Sequence, residues 1–316
     1  MKIAVIFPGQ GSQYLGMAQE FVSSKEKCAG LMEMAESTCD LRLQELCGQG
    51  PMDELTRATN LQPAITITNL ICWEAFKEET KGEITVSSFA GHSLGEYSAL
   101  YAAGVINAED TMRLVSKRGA LMEREGLKNP GGMRAVLGLD IDTIDEIIAA
   151  YSGGGVVTAA NHNTPQQIVI SGTMDALDWV AAVVEEKGGK VIPLNVSVAN
   201  HSPLVAEAVP DFEEFMADTS FNIPKIPVYF NVTAEKETDP KKMKGIMASQ
   251  IASRVRWYEI ITAMVEDGVD TFIEVGPKSV LKGMMKKITP KDKKITALQF
   301  DTPESLGKCI EQLRQQ

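Results

Sequence analysis

Ile3 to Phe7 is an unbroken apolar run closed by Pro8-Gly9, a pattern that predicts a strand buried on both faces. The loop Gly9-Gln10-Gly11-Ser12-Gln13 follows, and helical patterns then continue to about Lys81, with Gln62-Pro63 marking the start of one helix. Glu83 to Ala90 reads as a second strand, running straight into Gly91-His92-Ser93-Leu94-Gly95 and a helix from Glu96 to Ala103. Alternating strands and helices predict an α/β domain with a largely parallel sheet.

The stretch from Gly132 to Ser197 has a different grammar. Met133–Leu139 reads as a strand, Asp142–Ala150 as a helix, and Val156–Asn161 and Gln167–Ser171 as strands joined by a proline-containing turn. Asp175–Lys187 reads as a helix with Leu177, Val180, Ala181 and Val184 on one face, and Lys190–Val196 closes as a strand. The order β-α-β-β-α-β is a split-βαβ, ferredoxin-like unit. We read it as an insertion, residues 131–197, within a larger α/β domain built from 1–130 and 198–316. The α/β pattern resumes at Val228–Val232, a helix around Ile246–Ser253 and the strand Thr271–Val275.

Composition narrows the function more than the fold. The 316 residues are 44% hydrophobic and 23% charged, ordinary for a soluble globular protein, with a net charge of -11. So acidic a chain repels phosphate backbones, which argues against a nucleic-acid partner. Any anionic small substrate would need a local basic site to overcome the overall field. Five cysteines with no C-x-x-C pair predict buried, reduced thiols rather than a metal site. The N-terminal apolar run is too short for a signal peptide, and no run approaches a membrane span. A cytoplasmic monomer without membrane contact is expected.

Candidate chemistry centres on Gly91-x-Ser93-x-Gly95, the G-x-S-x-G pattern of a sharp strand-to-helix turn that lifts a serine hydroxyl above a sheet edge. The motif is common by chance, but here a predicted strand precedes it and a predicted helix follows. A serine nucleophile needs a base, and the only histidines are His92, His162 and His201. His92 adjoins the nucleophile and points elsewhere in such a turn, and His162 falls in the turn region of the insertion. His201 lies where the chain re-enters the main domain, so elimination favours it. The oxyanion donors expected are the amide of Leu94 and one from the loop after the first strand, with Gln10 the best candidate.

The helix Glu109–Glu125 places Arg118 on the same face as Leu114, Val115, Leu121 and Met122, whereas Arg113, Lys117 and Arg124 fall on other faces. An inward guanidinium implies an anion, either a structural salt-bridge partner or the carboxylate of an acyl group. Gly9-x-Gly11 lacks the third glycine of a dinucleotide fingerprint, and Gly11-x-x-x-x-Gly16 is followed by Met17 rather than a P-loop lysine. Neither NAD nor ATP is supported.

With these residues in place, the sequence resembles the malonyl-CoA:acyl carrier protein transacylases and the acyltransferase domains of polyketide synthases. The matches run in order along nearly the whole chain: Phe7-Pro8-Gly9-Gln10-Gly11-Ser12-Gln13, Gln62-Pro63-Ala64, Gly91-His92-Ser93-Leu94-Gly95-Glu96, Arg118-Gly119, Asn161 with Asn163, Gln166 to Gly172, His201-Ser202-Pro203-Leu204, Gln250, and Glu274-Val275-Gly276-Pro277. The resemblance implies a hydrolase-like α/β core interrupted by a ferredoxin-like insertion. It implies Ser93 as nucleophile, His201 as base oriented by the backbone carbonyl of Gln250, oxyanion donors at Gln10 and Leu94, and Arg118 as the malonyl clamp. His92, Gln62, Asn161 and Asn200 are the further substrate-binding positions. No bound cofactor or metal is implied; malonyl-CoA is the donor, and acyl carrier protein the partner that brings the phosphopantetheine thiol.

Two positions depart from the family. Asn200 stands where many relatives carry Phe or Ser, and Arg134 where they usually carry a small apolar residue; sharing a strand face with Val136, Arg134 is expected to point to solvent. Both leave the extender unit open between malonyl, methylmalonyl and other groups, and the pathway open between fatty-acid and polyketide synthesis. Lys278–Lys294 holds seven lysines and one acid, Asp292, and is either a carrier- or CoA-binding patch or a solvated helix and loop. The alternatives weighed are an acyl-thioester hydrolase of the same fold, disfavoured by Arg118, and a non-catalytic carrier-binding scaffold, disfavoured by Ser93 and His201.

Overall fold

The computed structural model describes residues 1–196 and 198–315. Ser197, where the insertion is expected to end, and Gln316 lie outside the described residues. The described strands are β1 (Ile3–Phe7), β2 (Val86–Gly91), β3 (Gly132–Leu137), β4 (Val157–Thr164), β5 (Gln167–Gly172), β6 (Lys190–Pro193), β7 (Val228–Tyr229), β8 (Thr271–Val275) and β9 (Thr296–Phe300). They form a parallel sheet in the order β7-β2-β1-β8-β9 and an antiparallel sheet in the order β4-β5-β3-β6. Among the described residues no helix is long and apolar enough to cross a membrane.

The central position of β1 explains its unbroken apolar run. Ile3, Val5 and Phe7 face a core shared with the helix Ala58–Thr80, while Ala4 and Ile6 face one shared with the helices Trp257–Glu266 and Val280–Ile288. Both faces of the sheet are therefore covered, and no position on the strand has water to face. Two helices of its own cover one face of the second sheet. Val136, Ile168 and Ile170 pack against the helices Ile141–Ala150 and Met174–Glu186. Met133, Ala135 and Val169 point the other way, into a cavity above the large sheet. The insertion thus works as a roof.

Several elements differ from the sequence expectations. The helix expected at Gln62-Pro63 starts at Ala58, because Glu123 takes up the N–H and hydroxyl of Thr59 and so satisfies donors of its first turn. Of Val228–Val232 only two residues are strand; the chain then turns, with Ala234 N–H donating to Phe230 O at 2.8 Å. His162 lies on β4 rather than in a turn, its Nδ1 3.1 Å from Glu259 and its ring against Tyr258, because this edge strand meets the helix Trp257–Glu266. Arg134 does not point to solvent. It lies beneath the helix Met174–Glu186, donating to Leu177 O and pairing with Asp178. The strand β9 was not foreseen.

The turn between β2 and the helix Gly95–Ala102 depends on two glycines. A Cβ on Gly91 would lie 2.0 Å from the backbone of Gly95, and one on Gly95 would lie 2.1 Å from Phe7 O. Gly91→Ala is therefore expected to lower the thermal midpoint by at least about 5 °C. Gly245→Ala, in an open stretch of helix, is expected to raise stability by roughly 0.5–1 kcal/mol. Equal midpoints for the two variants in a thermal melt would contradict this reading of the turn.

Candidate active site

Ser93 occupies the turn in the left-handed region, φ 50°, where a side chain is rarely placed without a purpose or a brace. The brace is Asn231. Its Oδ1 accepts from Ser93 N–H at 2.6 Å and its Nδ2 donates to Gly91 O at 2.7 Å, so one amide spans the turn. Glycine at position 9 lets the loop after β1 close on the same turn; a Cβ there would lie 2.6 Å from His92 O. That approach sets the Gln10 loop beside Leu94. Among the described residues, neither the Gln10 nor the Leu94 N–H donates to a protein acceptor, which leaves both free for an oxyanion.

His201 is also left-handed, φ 58°, with its N–H donating to Ile251 O at 3.0 Å. Its ring Nδ1 lies 2.9 Å from Gln250 O and 3.0 Å from Ser253 O. Both partners are carbonyls and can only accept, so Nδ1 carries the proton and Nε2 presents a lone pair. Nε2 lies 2.8 Å from Ser93 Oγ. Burial and the nearby Arg118 cation push His201 down to about 3, so the ring is neutral and its Nε2 lone pair is free. The sequence reading names the Gln250 carbonyl and misses that of Ser253. A carbonyl acceptor carries no residue-type signal.

Arg118 is buried in the helix Ala108–Lys128, whose start is capped by the Asn107 side chain accepting from Asp110 N–H. Gly119 brings that helix against Ala58, where a Cβ would lie 2.6 Å from the carbonyl oxygen, and so sets Arg118 beside Gln62. Its Nη1 donates to Gln62 Oε1 at 2.9 Å; its Nη2 donates to Gln250 Oε1 at 3.1 Å and to Ser93 Oγ at 3.2 Å. None of these partners is a carboxylate, and Nε has no partner among the described residues. Of the two anions open in the sequence, the structural salt bridge is absent there.

The remaining candidates surround this centre. His92 is held off Ser93: its Nε2 lies 2.8 Å from Asn163 Oδ1, and its ring meets Trp257 edge-on at 5.4 Å. Asn161 and Asn163 lie on β4 and, with Ser93, His201 and Gln10, line a cavity of about 380 Å³ beneath the second sheet. Asn200 lines this cavity and a second one of about 620 Å³, bounded by Gln62, Met122 and Leu127, and its buried Oδ1 has no partner among the described residues. Asn231 and Glu96 are hydrogen-bonded to this cluster, a placement that residue-type reasoning did not find. Asn231-Val232-Thr233 shows in the sequence only as a glycosylation pattern.

A serine hydroxyl shared by a neutral histidine and an unpaired guanidinium, with two free amides beside it, suits transfer of an anionic acyl group. Known proteins similar to this chain are consistent with that chemistry. The family model for the acyl transferase domain matches residues 5–314. The malonyl CoA-acyl carrier protein transacylase of Bacillus subtilis (strain 168) is 36% identical over 317 residues, covering 100% of this chain and 98% of that one. Among solved structures, an acyl carrier protein S-malonyltransferase from Vibrio cholerae superposes with a TM-score of 0.92 at 35% identity, covering 98% of this chain and 100% of the other. A malonyl-transacylase solved with its type II polyketide acyl-carrier protein superposes at 0.94 with 32% identity, covering 99% and 100%. Full-length agreement in sequence and fold leaves one conclusion: the chain belongs to the acyl transferase domain family, among the malonyl CoA-acyl carrier protein transacylases.

Proposed function

We propose that this acyltransferase moves a malonyl group from malonyl-CoA to the phosphopantetheine thiol of acyl carrier protein through an ester on Ser93. The observation that carries the reading is the double contact at Ser93 Oγ, with His201 Nε2 at 2.8 Å and Arg118 Nη2 at 3.2 Å. One group takes the proton. The other waits for a carboxylate.

In the first half-reaction His201 Nε2 accepts the Ser93 hydroxyl proton as Oγ attacks the thioester carbonyl. The oxyanion is received by the amides of Gln10 and Leu94, and collapse expels the CoA thiolate, which takes the proton back from His201. In the second half the carrier thiol gives its proton to His201, attacks the seryl ester, and leaves Ser93 protonated again. The carbonyls of Gln250 and Ser253 stabilise the imidazolium formed in both halves, so a triad carboxylate has no part here. A malonyl ester carries its carboxylate one methylene beyond the reacting carbon. A guanidinium within hydrogen-bond reach of Oγ therefore meets that carboxylate after a small shift, leaving Gln62 and Gln250 to steady it. Gln62, His92, Asn161 and Asn200 then shape the acyl and pantetheine path. The antiparallel sheet roofs that path and limits water, whose attack on the ester would waste the donor.

The helix Val280–Ile288 turns Val280, Leu281 and Met284 toward the smaller cavity, while Lys282, Lys286 and Lys287 are exposed. Lysines beside the mouth of the site suit the anionic carrier and the CoA phosphates, against the overall charge of -11.

Three outcomes follow. Arg118→Ala is expected to cut kcat/KM for malonyl-CoA by about 100-fold or more while sparing part of acetyl transfer; unchanged malonyl turnover would rule out the clamp. Charge reversal at Lys286 and Lys287 is expected to raise the carrier KM by about threefold to tenfold with little change in kcat, and an unaltered carrier KM would exclude those two residues. Because His201 is neutral far below its usual range, acyl-enzyme formation from about pH 7 down to pH 5 is expected to show no histidine step. A halving of the rate near pH 6.5 would contradict that assignment.

A further inference from the structure

Glu96 lies at the first turn of the elbow helix, fully buried, and takes no part in the reaction as written. Its Oε1 accepts from Asn231 N–H at 2.8 Å, and its Oε2 accepts from Gln250 Nε2. The same Nε2 donates to Ser93 O at 2.9 Å, and the amide oxygen of Gln250 accepts from Arg118 Nη2 at 3.1 Å. The Gln250 side chain is therefore clasped between an acceptor and a donor. Rotating its amide by half a turn would set an NH2 group against the guanidinium and an oxygen against the carboxylate. Only a carboxylate at position 96 meets both of its donors, Asn231 N–H and Gln250 Nε2, with lone pairs.

We infer that Glu96 is a positioning residue for the clamp: its buried carboxylate fixes the Gln250 amide with its oxygen toward Arg118, and so aims the guanidinium at the acyl carboxylate. The inference rests on the reading of Arg118 as that clamp. Through Asn231 the same carboxylate also ties the clamp to the turn that holds Ser93.

A second consequence concerns pH. Burial pushes Glu96 up to about 8, against the pull of the Gln250 and Asn231 donors and of Arg118. Above that value it is a carboxylate and holds both donors. Below it, the added proton displaces one of them and the clamp loosens. The other titratable groups facing this cluster do not change charge in that range: His201 and His92 are pushed down, Tyr97 is pushed up, all mainly by burial, and Arg118 keeps its proton.

The test compares acylation of Ser93 by malonyl-CoA and by acetyl-CoA, followed by intact mass. Above about pH 8, where Glu96 is a carboxylate, Glu96→Gln leaves a donor facing a donor on one side, so malonyl kcat/KM is expected to fall at least about tenfold further than acetyl kcat/KM. Equal losses for both donors would mean a purely structural role and overturn the inference. In the unaltered enzyme the malonyl-to-acetyl ratio is expected to rise with pH through about 8, a step absent from Glu96→Gln; a flat ratio in the unaltered enzyme would also overturn it. Should Glu96→Gln fail to fold, Glu96→Asp keeps the charge on a shorter arm and is expected to retain the step at a lower ratio, its loss counting against the inference. Arg118→Ala run alongside separates the two readings. If that variant keeps malonyl selectivity, the clamp itself fails, and if it loses selectivity while Glu96→Gln does not, only the role of Glu96 fails.

Discussion

Burying a guanidinium costs several kcal/mol unless charge or well-placed acceptors meet it, and most proteins meet it with a carboxylate. Here Arg118 is met by two amide oxygens and a serine hydroxyl. Three neutral acceptors hold the cation in place without cancelling its charge. The arrangement explains features that otherwise look unrelated: the buried Gln62 and Gln250, the close helix approach at Gly119, and a carboxylate, Glu96, kept one amide away. A direct Glu96–Arg118 pair would satisfy the cation and leave nothing for substrate. The intervening glutamine keeps that carboxylate off the guanidinium and the site open.

The same cation bears on the chemistry beside it. It lowers the basicity of His201, which stays neutral, and donates to Ser93 Oγ. Both of these residues adopt left-handed backbone, an arrangement the surroundings must impose. Ser93 is imposed by Asn231 and the two flanking glycines, and His201 by the Ile251 carbonyl. Ser93, His201 and Arg118 thus share one hydrogen-bonded cluster, and a disturbance at any member reaches the others.

Much of this was legible in the chain. The apolar run Ile3–Phe7 announced a strand buried on both faces, and helical spacing alone put Arg118 on the inward side of its helix. The βαββαβ order of the insertion followed from glycine punctuation and short periodic segments. What escaped was of another kind. Asn231 lies 138 residues from the serine it braces, and a side chain that bonds to distant backbone leaves no local pattern. The Ser253 carbonyl is invisible because every residue has one. Thr296–Phe300 was missed because only Leu298 and Phe300 are fully buried on an edge strand, too few for a period to show. Arg134 was misjudged because face-sharing with Val136 was read without the helix above, whose Asp178 and Leu177 carbonyl receive it.

The most direct measurement is a crystal structure of the enzyme trapped as its malonyl ester. The expected density shows the Ser93 ester with its carbonyl oxygen between the amides of Gln10 and Leu94. It also shows the malonyl carboxylate paired with Arg118, whose Nη2 has left Oγ while Gln62 and Gln250 still hold the guanidinium. A carboxylate turned toward solvent or toward the lysines of Val280–Ile288, with Arg118 still on its three neutral acceptors, would contradict the clamp on which the rest depends.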